Sequence, residues 1–346
     1  MALPSKIIVT RFSAMGDVAM VASVLKEFAE QYPSVSIIMV SRPLFQAFFE
    51  GIPNIKFHSF YPKEKHKGLK GIIALKKELA SEGADAIADL HFNLRSRILS
   101  ALFKFSGLQV KQLDKGRKEK KELTRFPNKV LKPLKPTVER YADVFRQLGF
   151  QFVLQNKLIP NQLPLPNLAH ALFANDDSKK IGIAPFAQHP YKVFSLEKMQ
   201  EVISYLSHNN VDVYIFGGGK TEQTQAEKWQ VLYPNVHSTI GRFKLKEELS
   251  IISNLDLMIS MDSSGMHMAS LMGVRCLSIW GATHPFAGFL GYGQTLSDCI
   301  QVEHPNRPNS VYGNKSCLCD GTEAIDLVSS EMVISSINQI IQKKGS

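Results

Sequence analysis

Short apolar runs alternate with amphipathic stretches along both halves of the chain. Ile7–Thr10, Val35–Val40, Ile55–Phe60 and Ala84–Leu90 are compact apolar runs that read as strands. Between them Val18–Gln31 and Leu69–Ser81 place apolar residues at helical spacing, and Arg42–Phe49 reads as a short helix. Glu139–Gly149 reads as a closing helix. A stretch with Pro160, Pro164, Pro166 and Asn175-Asp176-Asp177 then interrupts the pattern. Alternation resumes with strands at Ile181–Ala184, Val211–Phe216, Leu257–Ser260 and Arg275–Trp280. Helices are predicted at Leu196–His208, Thr221–Leu232, Lys246–Ser253, Gly265–Met272 and Ser329–Lys343. Strand–helix alternation of this kind predicts parallel, doubly wound α/β sheets. The proline-rich break predicts two domains, 1–158 and 159–346, with the last helix able to pack back on the first.

Length and composition fit that picture: 346 residues and 44% hydrophobic content are enough for two ordinary cores. The N-terminal apolar run Ile7-Ile8-Val9 is too short for a signal peptide, and no other run approaches a membrane span. The expected location is therefore cytoplasmic, or peripheral on the inner face of the cytoplasmic membrane. Cys276 lies in an apolar run and reads as a core residue, while Cys317-Leu318-Cys319 reads as surface or loop thiols. No clustered metal ligands and no D-x-D motif occur, so no metal and no cofactor are expected.

In doubly wound sheets, ligands sit on the loops at the carboxyl ends of strands. Four such loops carry candidate chemistry. The first is Met261-Asp262-Ser263-Ser264-Gly265-Met266-His267, where small residues start a helix directly after a strand. Its unpaired N–H groups and partial positive charge suit a diphosphate. Asp262 there either caps the helix or binds sugar hydroxyls, and His267 either packs or contacts phosphate. The second loop, Phe216 to Glu222, contains Gly219-Lys220-Thr221 but has Tyr214 where a P-loop requires its first glycine, which argues against a kinase. Glu222 either suits the helix dipole or accepts hydrogen bonds from a ribose diol. The third, Pro185 to Ser195, offers Lys192, which is either solvated or a phosphate ligand. The fourth, Arg11 to Asp17, lacks the G-x-G-x-x-G of dinucleotide-binding dehydrogenases. Asp17 either caps a helix or acts as a general base. No G-x-S-x-G elbow supports a serine hydrolase.

The formal net charge is +10 and is not evenly spread. Lys104, Lys111, Lys115, Arg117, Lys118, Lys120, Lys121, Arg125, Lys129, Lys132 and Lys135 face only Asp114, Glu119 and Glu122 in the same region. With few interleaved aromatics, this stretch suits an anionic acceptor or membrane surface better than nucleic acid. A solvated loop is the alternative.

Three segments resemble glycosyltransferase family 9, the heptosyltransferases. Arg11-Phe12-Ser13-Ala14-Met15-Gly16-Asp17-Val18 is similar to the family's R-x-S-A-x-G-D-V segment. Asp89-Leu90-His91-Phe92-Asn93-Leu94-Arg95-Ser96 resembles its D-x-x-x-N-x-R-S stretch. Asp262-Ser263-Ser264-Gly265-Met266-His267-Met268-Ala269 resembles its D-[ST]-G-x-x-H-x-A segment, with one extra residue before the glycine, and Trp280-Gly281-Ala282-Thr283 follows. The resemblance implies a GT-B fold, two Rossmann-like domains facing across a cleft. It also implies inverting, metal-independent transfer of heptose from ADP-heptose to a lipopolysaccharide inner-core acceptor. In that reading Asp17 is the base. Lys192 binds diphosphate, Glu222 ribose and Asp262 donor-sugar hydroxyls, and Ser263, Ser264, Gly265, Met266 and His267 complete the donor site. Ser13, Gly16, Asn93 and Arg95 would bind acceptor, with Lys115, Arg117, Lys118, Lys120 and Lys121 meeting its anionic groups. The alternatives are a related transferase using another sugar nucleotide, or a non-catalytic module that binds anionic glycolipid.

Overall fold

The computed structural model describes residues 3–343. The chain separates into two units. One gathers the chain up to Lys115 together with Pro136–Asn156, and the other gathers Gly116–Lys135 together with the chain from Lys157 onward.

The first unit runs β1 (Lys6–Thr10), α1 (Met15–Gln31), β2 (Ser36–Ser41), a 3-10 segment at Pro43–Phe49, β3 (Ile55–Ser59), α2 (Gly68–Ala80), β4 (Ala86–Asp89), α3 (Leu94–Phe105) and β5 (Gln109–Gln112). After α4 (Arg117–Thr124), which belongs to the second unit, α5 (Thr137–Gln147) completes it. Its five strands are all parallel, in the order β3-β2-β1-β4-β5. β1 and β2 are apolar and β-branched because sheet and helices bury both their faces. The expected short helix at Arg42–Phe49 is a 3-10 segment instead, started by Pro43 at its first position. β5 escapes the hydrophobic pattern because it is a polar edge strand, Gln-Val-Lys-Gln, with no apolar alternation. α1 packs on α5 through Phe28, whose ring lies 4.4 Å from that of Phe145 and 5.3 Å from that of Phe152. The buried Glu27 carboxylate accepts the backbone N–H groups of Gln155 and Asn156 and so pins the chain where it leaves the unit.

The second unit runs β6 (Lys179–Ala184), α6 (Leu196–Ser207), β7 (Val211–Ile215), α7 (Lys220–Leu232), β8 (Val236–Ser238), α8 (Leu245–Ile252), β9 (Leu257–Met261), α9 (Ser264–Leu271), β10 (Cys276–Ile279) and β11 (Cys299–Ile300). A hairpin of β12 (Leu318–Cys319) and β13 (Thr322–Glu323) precedes α10 (Ser330–Lys343). The six-stranded sheet is parallel throughout, in the order β11-β10-β9-β6-β7-β8. α10 packs on α6 of the same unit, with Val333, Ile337 and Ile340 in that unit's core. Cys276 is a core residue as its surroundings imply. Cys317 and Cys319 correct the expectation of surface thiols: they are 0% and 2% exposed. The hairpin folds both sulfurs into a small cluster with Ala282, Ala324 and Tyr191.

The excursion 116–135, placed with the first domain by the sequence pattern, packs with the second unit. Its sparse apolar residues explain this. Leu123 and Leu134 bury against Ala287, Phe286, Phe289 and Val311, and the Leu134 N–H donates to the Phe286 carbonyl. Among the described residues no helix is long and apolar enough to cross a membrane.

Candidate active site

In each sheet the chain order reverses once, and there two neighbouring strands send their connections to opposite sides. In the first unit this happens between β1 and β4. The loops leaving those strands carry Ser13–Asp17 and Leu90–Ser96. In the second unit it happens between β6 and β9, whose loops carry Lys192 and Asp262.

The first cluster centres on Asp17, the third residue of α1. Its Oδ2 lies 2.5 Å from the Arg11 guanidinium and accepts the Ala14 N–H at 3.3 Å. Its Oδ1 accepts from the Tyr141 hydroxyl at 3.3 Å. Asp17 therefore caps α1 and also holds a cation, with 23% of its side chain exposed. Arg11 is locked in turn, because its Nε and Nη1 donate to the carbonyls of Ser13 and Leu90, both at 2.8 Å. The second of these bonds joins the β1 loop to the β4 loop. Burial works against the Arg11 charge, but Asp17, Tyr141 and Asp89 together more than compensate, and its pKa is raised. Ser13 is half-buried, and the Ser13–Ala14 peptide is cis.

The β4 loop is organised by Asp89, which is 0% exposed. Its carboxylate accepts from the Thr10 hydroxyl, the His91 and Phe92 N–H groups and the Ser96 hydroxyl. Asn93 caps α3: its Oδ1 accepts the Ser96 N–H at 2.9 Å, and the Ser96 Oγ accepts the Asn93 N–H at 3.0 Å. The Asp-Asn-Ser part of the motif is thus a turn-and-cap device that leaves Arg95 exposed at the start of α3. His91 is 8% exposed and stays neutral. Burial first, then the nearby Arg11, push its pKa down to about 3.

The second cluster centres on Lys192 and Asp262, 70 positions apart in sequence, whose side chains pair at 2.8 Å. They are 15% and 7% exposed. Three contacts set the lysine. The Tyr191 carbonyl accepts the Ala282 N–H at 3.1 Å, which ties its turn to the loop after β10. Its stem runs against Gly313, where a Cβ would lie 2.4 Å from the Lys192 Cγ, and Gly313 has φ +70°. Its ammonium meets Asp262. Asp262 follows Met261, the last residue of β9, and Ser263 then adopts extended backbone as the N-cap of α9. Gly265 answers to packing: a Cβ there would lie 2.4 Å from the Ala184 Cβ, so glycine lets α9 seat directly on β6. Met266 and His267 are buried on the same turn, at 0% and 6% exposure. Glu222, in the first turn of α7, accepts the Gly218 N–H at 2.7 Å and closes the glycine loop after β7. Gly217 keeps that loop tight, since a Cβ would fall 2.7 Å from the Glu222 Oε2 and 2.8 Å from the Phe186 ring.

The family model of glycosyltransferase family 9 (heptosyltransferase) matches residues 72–315. The chain belongs to glycosyltransferase family 9. It is 26% identical over 295 residues to the lipopolysaccharide core heptosyltransferase OpsX of Haemophilus influenzae, covering 82% of this chain and 80% of that one. It is 25% identical over 278 residues to lipooligosaccharide heptosyltransferase 2 of Campylobacter jejuni, covering 78% of each. Among solved structures it is similar to a family 9 glycosyltransferase from Veillonella parvula, with a TM-score of 0.76 at 19% identity over 99% of both chains. It is also similar to ADP-heptose LPS heptosyltransferase II of E. coli, with a TM-score of 0.70 at 16% identity over 99% of this chain and 100% of that one. The protein is thus a glycosyltransferase of GT-B fold class, built from two doubly wound α/β units in tandem.

The matched span includes the Asp89–Ser96 and Asp262–Ala269 segments, Lys192 and Glu222, whereas Asp17 lies ahead of it. The structure brings Lys192 to Asp262 and places Glu222 on a neighbouring loop of the same sheet edge. Ser13 and Gly16 share the Asp17 loop, and Asn93 and Arg95 share the adjacent one. Lys115 is the last residue of the first unit before the excursion, whereas Arg117, Lys118, Lys120 and Lys121 sit on α4 of the second. Lys120 stacks over the Phe289 ring at 4.3 Å. Among the described residues no three His, Cys, Asp or Glu side chains are grouped so as to hold a metal. Sequence reading gave no role to Tyr141, Arg11 or Gly313. Arg11 stood inside a quoted motif, so its signal was present. Tyr141 and Gly313 reach Asp17 and Lys192 only through folding, and no local pattern marks them.

Proposed function

We propose that this enzyme transfers heptose from ADP-heptose to the inner core of a lipopolysaccharide acceptor, with inversion and without a metal ion. The Lys192–Asp262 pair carries this reading. In a sugar nucleotide, the hydroxyls beside the anomeric carbon and the phosphate on it lie a few bonds apart. A carboxylate for the one and an ammonium for the other must then sit side by side, at the start of a helix whose N–H groups face anionic oxygen. Relatives named as lipopolysaccharide and lipooligosaccharide heptosyltransferases support the sugar and the acceptor class.

Asp17 takes the proton from the acceptor hydroxyl as its oxygen bonds to the anomeric carbon. The anomeric carbon–oxygen bond to the diphosphate breaks in the same displacement, and ADP leaves with the electron pair. Lys192 and the N–H groups at Ser263–Met266 stabilise the charge that develops on the diphosphate. Glu222 accepts from the ribose. Arg11 and Tyr141 hold the Asp17 carboxylate in place, while Ser13, Gly16, Asn93, Arg95 and Lys115 face the acceptor together with the cations of α4. One carboxylate suffices because the nucleotide diphosphate is already a good leaving group, unlike the paired carboxylates of glycoside hydrolysis.

A thermal-shift series with ADP-, GDP- and UDP-sugars tests the donor, because a ligand that binds the native state raises the melting temperature. ADP-heptose is expected to shift it most and to support transfer to a lipid A-type acceptor. A larger shift with a GDP- or UDP-sugar overturns the donor assignment.

A further inference from the structure

Residues 116–135 hold eight cations, Arg117, Lys118, Lys120, Lys121, Arg125, Lys129, Lys132 and Lys135, against Glu119 and Glu122. This short excursion therefore supplies more than half of the chain's net charge of +10. Its two faces differ. Leu123 and Leu134 fix it to the second unit, and Lys120 is occupied by the Phe289 ring. Arg117, Lys118, Lys121 and Arg125 fall at helical spacing on the opposite side, and all four are exposed, as is Lys132.

Beside these cations stand two exposed apolar side chains that the core does not use. Phe126 is 72% exposed and Leu131 46%. Phe126 occupies the tip after α4, where the Arg125 Nε donates to the Asn128 carbonyl at 2.5 Å and Asn128 adopts φ +63°. The turn is closed on itself, with the aromatic ring left outside.

A soluble phosphorylated ligand would use the cations and leave Phe126 and Leu131 in water. A bilayer with anionic headgroups accepts both, since lysines and arginines meet the phosphates while aromatic and aliphatic side chains enter the headgroup–acyl boundary. We infer that the 116–135 excursion docks the second unit on an anionic bilayer surface, with Phe126 and Leu131 inserted and the outer cations of α4 on the headgroups. The inference shares the α4 cations with the acceptor contacts proposed above, but Phe126 and Leu131 belong to it alone.

The test uses the full chain and vesicles that contain no lipopolysaccharide. Binding is expected to phosphatidylcholine vesicles that include phosphatidylglycerol, to weaken as salt rises, and to be lost on pure phosphatidylcholine. The double variant Lys121→Gln/Lys132→Gln should lower the partition coefficient about 25-fold, at roughly fivefold per cation. Phe126→Trp supplies the insertion readout, because the two native tryptophans, Trp229 and Trp280, are 0% and 1% exposed. Its emission should shift to the blue when anionic vesicles are added, and Phe126→Ala should weaken binding without changing its salt dependence. Equal binding to both vesicle types, or an unshifted tryptophan at position 126, overturns the inference. Loss of donor-induced thermal stabilisation would bear on the proposed donor site alone.

Discussion

Asp17 and Asp262 sit at equivalent places in two separate sheets. Each follows a strand beside the point where chain order reverses, each lies at the start of a helix, and each holds a cation. The partners differ. Arg11 is six residues from Asp17, cannot lose its proton under ordinary conditions, and is held by two backbone carbonyls besides. Lys192 comes from a distant loop and is placed by its stem against Gly313 and its head on Asp262. The first arrangement holds a carboxylate fixed by three partners, which suits the proton-accepting role proposed for Asp17. The second holds an ammonium through an ion pair with Asp262, which suits the diphosphate-binding role proposed for Lys192.

Substitutions can separate the two. Asp17→Asn should lower turnover about 10³-fold, within the usual range for a general base, while donor-induced thermal stabilisation persists. Loss of donor binding in that variant would merge the two roles. Lys192→Ala should lower kcat/KM roughly 100-fold, mainly through donor affinity, because one preorganised charge is removed and Asp262 is left buried without its partner. Adding Asp262→Asn should recover melting temperature but not donor binding.

The next effect is on stability. The neutral His91 beside Arg11 has a folded pKa of about 3, far below its unfolded value. Its contribution is complete above the unfolded pKa and is lost as pH falls from there towards the folded one. At about pH 5 the loss is roughly 2 kcal/mol. His91→Asn should flatten the decline in denaturation midpoint between neutral pH and pH 5, and an unchanged slope would remove His91 as its source.

A smaller change tests how Lys192 is placed. Gly313→Ala puts a Cβ within 2.4 Å of the Lys192 Cγ at a backbone angle that favours glycine. Donor KM should rise about tenfold by displacement of the ammonium, and the same change in a Lys192→Ala background should add nothing. Smallest of all, Tyr141→Phe removes one hydrogen bond from Asp17 and should cost about threefold in kcat, with donor KM unchanged.

Much of this was legible in the chain itself. The apolar runs mark the strands at the centre of both sheets because parallel strands are buried on two faces and leave an uninterrupted hydrophobic signature. The small residues after β9 and the Arg11–Asp17 segment mark two of the loops that leave strands where chain order reverses. β5 was not legible, since an edge strand of polar residues carries no such signature. The excursion 116–135 was assigned by adjacency in sequence, whereas two leucines and one backbone hydrogen bond attach it to the other unit. Cys317 and Cys319 looked exposed because their loop is polar, and a two-strand hairpin buries them.

The sequence by itself determined the fold class and the family, because periodicity and short motifs are local properties. Only the tertiary structure decided that Lys192 faces Asp262, that Tyr141 reaches Asp17, and that Gly265 is small for the sake of Ala184. Those facts depend on side chains far apart in sequence meeting within a few ångströms, and only the packing of strands and helices brings them there.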